Sequence, residues 1–100
     1  MAEVFLEIVF DAKDCSAVGI DSRDEVEDPL EEALDDSEIA EVTGGGGGMG
    51  TYNIDVEVVD ERHLDKALKI IRRVLRKLKV PANTRINRYE PKKLVYDVYE

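Results

Sequence analysis

The sequence predicts an α+β fold, built as a single domain over residues 1–100. Three observations carry this. Two segments alternate apolar and polar residues with period two, one long segment repeats apolar residues every three to four positions, and a shorter helical segment lies between the strands. One hundred residues are enough for one two-layer core.

Residues 3–10 alternate, with Val4, Leu6, Ile8 and Phe10 on one face and Glu3, Phe5, Glu7 and Val9 on the other. This is a strand with one wholly apolar face and one mixed, partly solvated face. The polar stretch 11–25 has no clear period and reads as a loop. In residues 24–37, Val26, Leu30, Ala33 and Leu34 recur at helical spacing. Proline suits the first turn of a helix, so the segment reads as a helix from Pro29 to Asp36, with Asp28 as N-cap and Glu31 completing a capping box. The second choice starts at Ser22, with Ser22 and Glu25 as the box and Pro29 left as a kink.

Residues 39–43 read as a short strand and residues 52–60 as a stronger one, with Tyr52, Ile54, Val56 and Val58 on one face and Asn53, Asp55, Glu57 and Val59 on the other. Asp60 then caps a long helix in which Leu64, Ala67, Leu68, Ile71, Leu75 and Leu78 form the apolar stripe. Pro81 disfavours helical geometry at Val80 and stops the helix near Lys79. Strand propensity returns at residues 84–89 and 94–99, as a hairpin or one interrupted strand.

The order strand, helix, strand, strand, helix, strand resembles the split βαβ pattern of ferredoxin-like domains. The resemblance implies a βαββαβ two-layer sandwich, with an antiparallel-rich sheet, both helices on one sheet face and room for an extra C-terminal strand. It is a resemblance of pattern alone, and this architecture hosts many functions.

Six glycines fall within residues 44–50. A dinucleotide-binding glycine motif follows a strand and opens a helix, whose terminal amides face the phosphates. Here the run opens a strand, no Lys-Ser/Thr pair follows, and Glu41 and Asp55 disfavour an anion. Residues 44–50 therefore read as a flexible strand-to-strand connection.

The formal charge of −9 hides an asymmetry. Residues 1–61 hold 19 acids and 2 bases, net −17, and residues 62–100 hold 4 acids and 12 bases, net +8. Such halves either mark a binding surface or pack beside each other, with Arg72 and Lys79 pairing to the acidic helix. The opening segment lacks the features of a signal peptide, and no apolar run is long enough to span a bilayer, so the chain is expected to be cytoplasmic and away from the membrane. Cys15 cannot form an intrachain disulfide and reads as a small loop side chain.

Two surfaces are candidates for function. If the two best-patterned strands are neighbours, Glu3, Phe5, Glu7, Val9, Asn53, Asp55 and Glu57 share one acidic face holding two apolar residues. That combination suits a basic protein partner, because carboxylates steer association while Phe5 and Val9 are buried, and it repels nucleic acid. Arg62, Lys66, Lys69, Arg73 and Arg76 form a basic stripe on the long helix, a surface for nucleic acid, for an acidic protein or for solvent. No residue pattern points to catalysis, a cofactor or a metal site. The sequence thus favours a small non-enzymatic binding protein, such as an inhibitor, an immunity-type antidote or an adaptor. A self-associating domain, forming a homo-oligomer through a strand edge or by docking the basic helix of one copy on acids of another, comes second, and nucleic-acid binding third.

Overall fold

The alternating N-terminal segment forms β1 (Val4–Asp11), whose inward residues Val4, Leu6, Ile8 and Phe10 are fully buried. The computed structural model describes residues 3–88 and 94–99. It is a small α+β structure, with a five-strand antiparallel sheet and three helices.

Residues 11–25, expected to be a loop, contain a short helix, α1 (Ala12–Ala17). The Asp11 carboxylate caps it by accepting from the Asp14 amide at 3.0 Å. Cys15 anchors it with a fully buried side chain. Too few turns are present for periodicity to show, so one buried thiol and one cap decide the segment.

The second helix, α2 (Asp24–Ser37), begins earlier than the preferred sequence reading and follows the alternative start near Ser22. Glu25 Oε2 accepts from the Asp21 and Ser22 amides at 2.6 and 2.9 Å, satisfying donors just ahead of the helix. Pro29 therefore lies inside the helix. Starting at Asp24 brings Val26 into the core with Leu30 and Leu34, and each such burial contributes about 1.5–3 kcal/mol. Together with the cap, this offsets the bond that proline removes.

The hairpin of β2 (Ala40–Gly48) and β3 (Thr51–Val58) shows what the glycine run does. Gly44 to Gly48 lie within β2 and pair with β3, so the connection expected at residues 44–50 contracts to Met49 and Gly50. Their φ values of 52° and 84° are those of a two-residue type I′ turn. Register shifts between Val42 and Gly44, leaving Thr43 as an extra residue. Alternation read straight through the run would put Gly44 on the same face as Val42; the bulge reverses it.

Asp60 Oδ1 accepts from the Arg62 amide at 3.0 Å and starts a 3-10 turn (Glu61–His63) that leads into α3 (Leu64–Lys77). Leu64, Ala67, Leu68, Ile71 and Leu75 are buried as expected, and Ile70 joins them. The helix ends in a Schellman motif. Lys79 has φ 60°, its amide donates to Arg76 O at 3.0 Å, and the Val80 amide donates to Leu75 O at 3.2 Å.

The last strands, β4 (Arg85–Arg88) and β5 (Leu94–Asp97), pair antiparallel, which selects the hairpin reading. Tyr89 and the turn expected at residues 90–93 lie outside the described residues. The sheet order is β2-β3-β1-β4-β5. Buried residues of β1, β3, β4, α2 and α3 join in one cluster. Among the described residues no helix is long and apolar enough to cross a membrane.

Candidate functional site

Because β1 pairs with β3 on one side and β4 on the other, and β2 and β5 extend the sheet at its edges, the outward residues of the five strands fall into cross-strand rows. One row runs Glu41–Glu57–Phe5, the next Gly44–Asp55–Glu7–Asn87–Val95, and the third Gly46–Asn53–Val9–Arg85–Asp97. The candidates Glu3, Phe5, Glu7, Val9, Asn53, Asp55 and Glu57 are thus brought onto one contiguous surface. Glu3 is exposed and the other six are half-buried.

Two acidic pairs stand directly opposite one another, Glu7 with Asp55 and Glu41 with Glu57. Like charges in directly opposed positions oppose sheet formation. Glu57 responds by holding its proton more tightly than an ordinary glutamate. The leading cause is a side-chain hydrogen bond with Glu3, followed by the negative charge of Glu3, desolvation and the charge of Glu41. Asn53 Nδ2 donates to Asp55 Oδ1 at 3.2 Å, holding that carboxylate on the face. Among the described residues, no three His, Cys, Asp or Glu side chains are placed to hold a metal ion.

Glu41, Arg85, Asn87, Val95 and Asp97 share this surface and were not legible from the sequence, since their membership depends on register. They divide it into regions. The acids concentrate over β2, β3 and the start of β1, whereas over β4 and β5 Arg85 Nε lies 3.2 Å from Asp97 Oδ1 in an exposed ion pair.

Of the expected basic stripe, Lys66, Lys69, Arg73 and Arg76 lie on α3, whereas Arg62 falls in the 3-10 turn ahead of it; all five are exposed. Arg62 lies 3.7 Å from Asp60, and Arg76 Nε donates to Val98 O at 2.8 Å. Arg72, expected to reach the acidic helix, donates through Nε to Asp97 O at 2.9 Å. Lys79, assigned the same role, is instead the left-handed residue that ends α3. The two arginines therefore tether the C-terminal segment to α3.

Cys15 is buried in α1 rather than set in a loop. Desolvation raises its thiol pKa, and the Asp11 and Asp14 carboxylates add to the shift. The thiol is poorly suited to nucleophilic attack in this environment.

Compared with known proteins, the chain matches no family model, no curated protein and no solved structure.

Proposed function

We propose that this protein is a non-enzymatic binding module whose outer sheet face, centred on Phe5, Glu7, Asp55 and Glu57, recognises a basic surface of another protein. The observation that carries the reading is the in-register opposition of Glu7 with Asp55 and of Glu41 with Glu57. A sheet under no demand but stability would alternate charge at such positions, and a cationic partner converts the repulsion into attraction. Half-buried Phe5 and Val9 supply the apolar centre that a steered complex needs in order to persist.

The scaffold belongs to the same proposal. A ferredoxin-like βαββαβ sandwich with β5 added at its edge is supported by the order β2-β3-β1-β4 and by the antiparallel pairing of β1 with both neighbours. It is supported further by the union of the α2 and α3 apolar stripes with one sheet face in a single core. Cytoplasmic location is the remaining part of the reading, consistent with a buried free thiol.

The test is affinity capture from lysate on the wild-type chain and on the triple variant Glu7→Gln, Asp55→Gln, Glu57→Gln, at about 50 and 300 mM salt. A basic protein retained at low salt by wild type and lost from the triple variant is the expected result. Phe5→Ala should then speed dissociation of that complex by about tenfold or more. An unchanged set of retained proteins on the triple variant overturns the proposal. Retention of nucleic acid that depends on Lys66 and Lys69 would select the basic helix instead.

A further inference from the structure

Helices α2 and α3 lie side by side over an open groove of about 500 Å³ lined by Pro29, Glu32, Ala33, Asp36, Arg73, Val74, Lys77 and Leu78. Its floor is apolar, since Ala33, Val74 and Leu78 are partly buried against the core. Its walls carry opposite charge, with Glu32 and Asp36 on α2 and Arg73 and Lys77 on α3. The contrast extends along both helices. Within α2 there are eight acidic residues and no base, and within α3 six bases and one acid.

Side-by-side helices of opposite charge would be expected to pair across their seam. None of the four wall residues Glu32, Asp36, Arg73 and Lys77 takes part in an ion pair among the described residues, where the pairs include Arg23–Glu27, Asp60–Arg62, Arg85–Asp97 and Glu61–Arg88. The groove therefore presents an acidic rail and a basic rail to whatever approaches it.

We infer that this groove is a self-complementary surface that takes a second copy of the same chain. A two-fold axis running along the groove places α2 of one copy over α3 of its partner, and α3 over α2. Every acidic rail then meets a basic one, and the Pro29, Ala33, Val74 and Leu78 floors close on each other. Only an isologous pairing of identical copies satisfies both rails at once without a separate partner of matching bipolar pattern. The two 14-residue helices present a face about 20 Å on each side, on the order of 400 Å² per copy, which places the contact among weak, reversible interfaces. The dimer is accordingly weak and salt-sensitive. This surface belongs to the helix layer and is independent of the outer sheet face.

The test is sedimentation equilibrium of the full chain from about 5 to 500 μM, at about 20 and 300 mM salt. Wild type should dimerise, with affinity weakened by about tenfold or more at the higher salt. The variants Glu32→Lys, Asp36→Lys and Arg73→Glu, Lys77→Glu each carry two rails of one sign and should be monomeric alone. Mixed in equal amounts they should associate to within about threefold of wild type, because each rail again meets its opposite. Circular dichroism melts of each variant establish that loss of association is not loss of fold. The mixing result holds the inference open to failure even where one variant is less stable. A wild-type chain that stays monomeric at every concentration and salt overturns it, leaving the groove to an amphipathic peptide or a small zwitterion. So does either variant associating as wild type does, or a mixture that stays monomeric.

Discussion

Gly45 and Asn53 approach so closely across the β2–β3 ladder that a β-carbon at position 45 would stand 2.6 Å from the Asn53 carbonyl oxygen. The same β-carbon would be 3.4 Å from the guanidinium of Arg23, whose Nε lies 3.4 Å from Glu27 Oε1. On the opposite face, a β-carbon at Gly46 would meet only Asn53 Oδ1, at an ordinary 3.5 Å. The run is thus two interleaved sets of glycines, one demanded by packing and one not.

Gly45→Ala should accordingly destabilise the fold by about 1–3 kcal/mol, the range for forcing an extra carbon into a filled site. Gly46→Ala should be neutral or stabilise by up to about 1 kcal/mol, because alanine restricts the unfolded chain. Urea unfolding midpoints of the two variants check this, and equal costs at both positions would refute it.

Met49 sits at the first central position of the type I′ turn with φ 52°, where a side-chain-bearing residue other than Asn or Asp is disfavoured. Met49→Asn should raise stability by about 0.5–1 kcal/mol, whereas Gly50→Ala, at φ 84°, should lower it by about 1 kcal/mol. Thermal melts read both changes.

Glu57 binds its proton more tightly in the folded chain than in the unfolded one, through the Glu3 hydrogen bond first and neighbouring negative charge second. A raised carboxyl pKa contributes stability below the unfolded value, and that contribution is lost as pH rises through the folded value. Melting temperature should therefore carry a decreasing component from about pH 4.5 upward. Glu57→Gln should remove this component, melting a few degrees higher than wild type at pH 7 and converging with it towards pH 4. Parallel curves for the two proteins would show that the acidic row imposes no strain.

Thr84 is fully buried, and its Oγ1 has no hydrogen-bond partner among the described residues. Thr84→Val keeps the shape and removes an unsatisfied hydroxyl, so it should stabilise by about 1 kcal/mol. Thr84→Ser, which keeps the hydroxyl and deletes a methyl, should destabilise by a similar amount. Denaturant midpoints of the pair separate the polar from the packing contribution.

The sequence by itself determined the elements whose periodicity is long enough to average over neighbours. The alternation of Val4, Leu6, Ile8 and Phe10 marked β1, and the stripe from Leu64 to Leu75 marked α3, although Asp60, expected to cap that helix, caps the 3-10 turn ahead of it instead. It also determined which residues oppose the core, since period two sends Glu7 and Asp55 outward wherever their strands lie. Tertiary structure decided what no local period encodes. Burial of Cys15 made a helix of a six-residue segment, and burial of Val26 with the Glu25 cap carried α2 through Pro29. A bulge at Thr43 set which glycines face inward, and strand order placed Glu41 opposite Glu57 and Arg85 beside Val9. These depend on contacts between residues far apart in the chain, whose energies exceed local propensity and become definite only when the whole core closes.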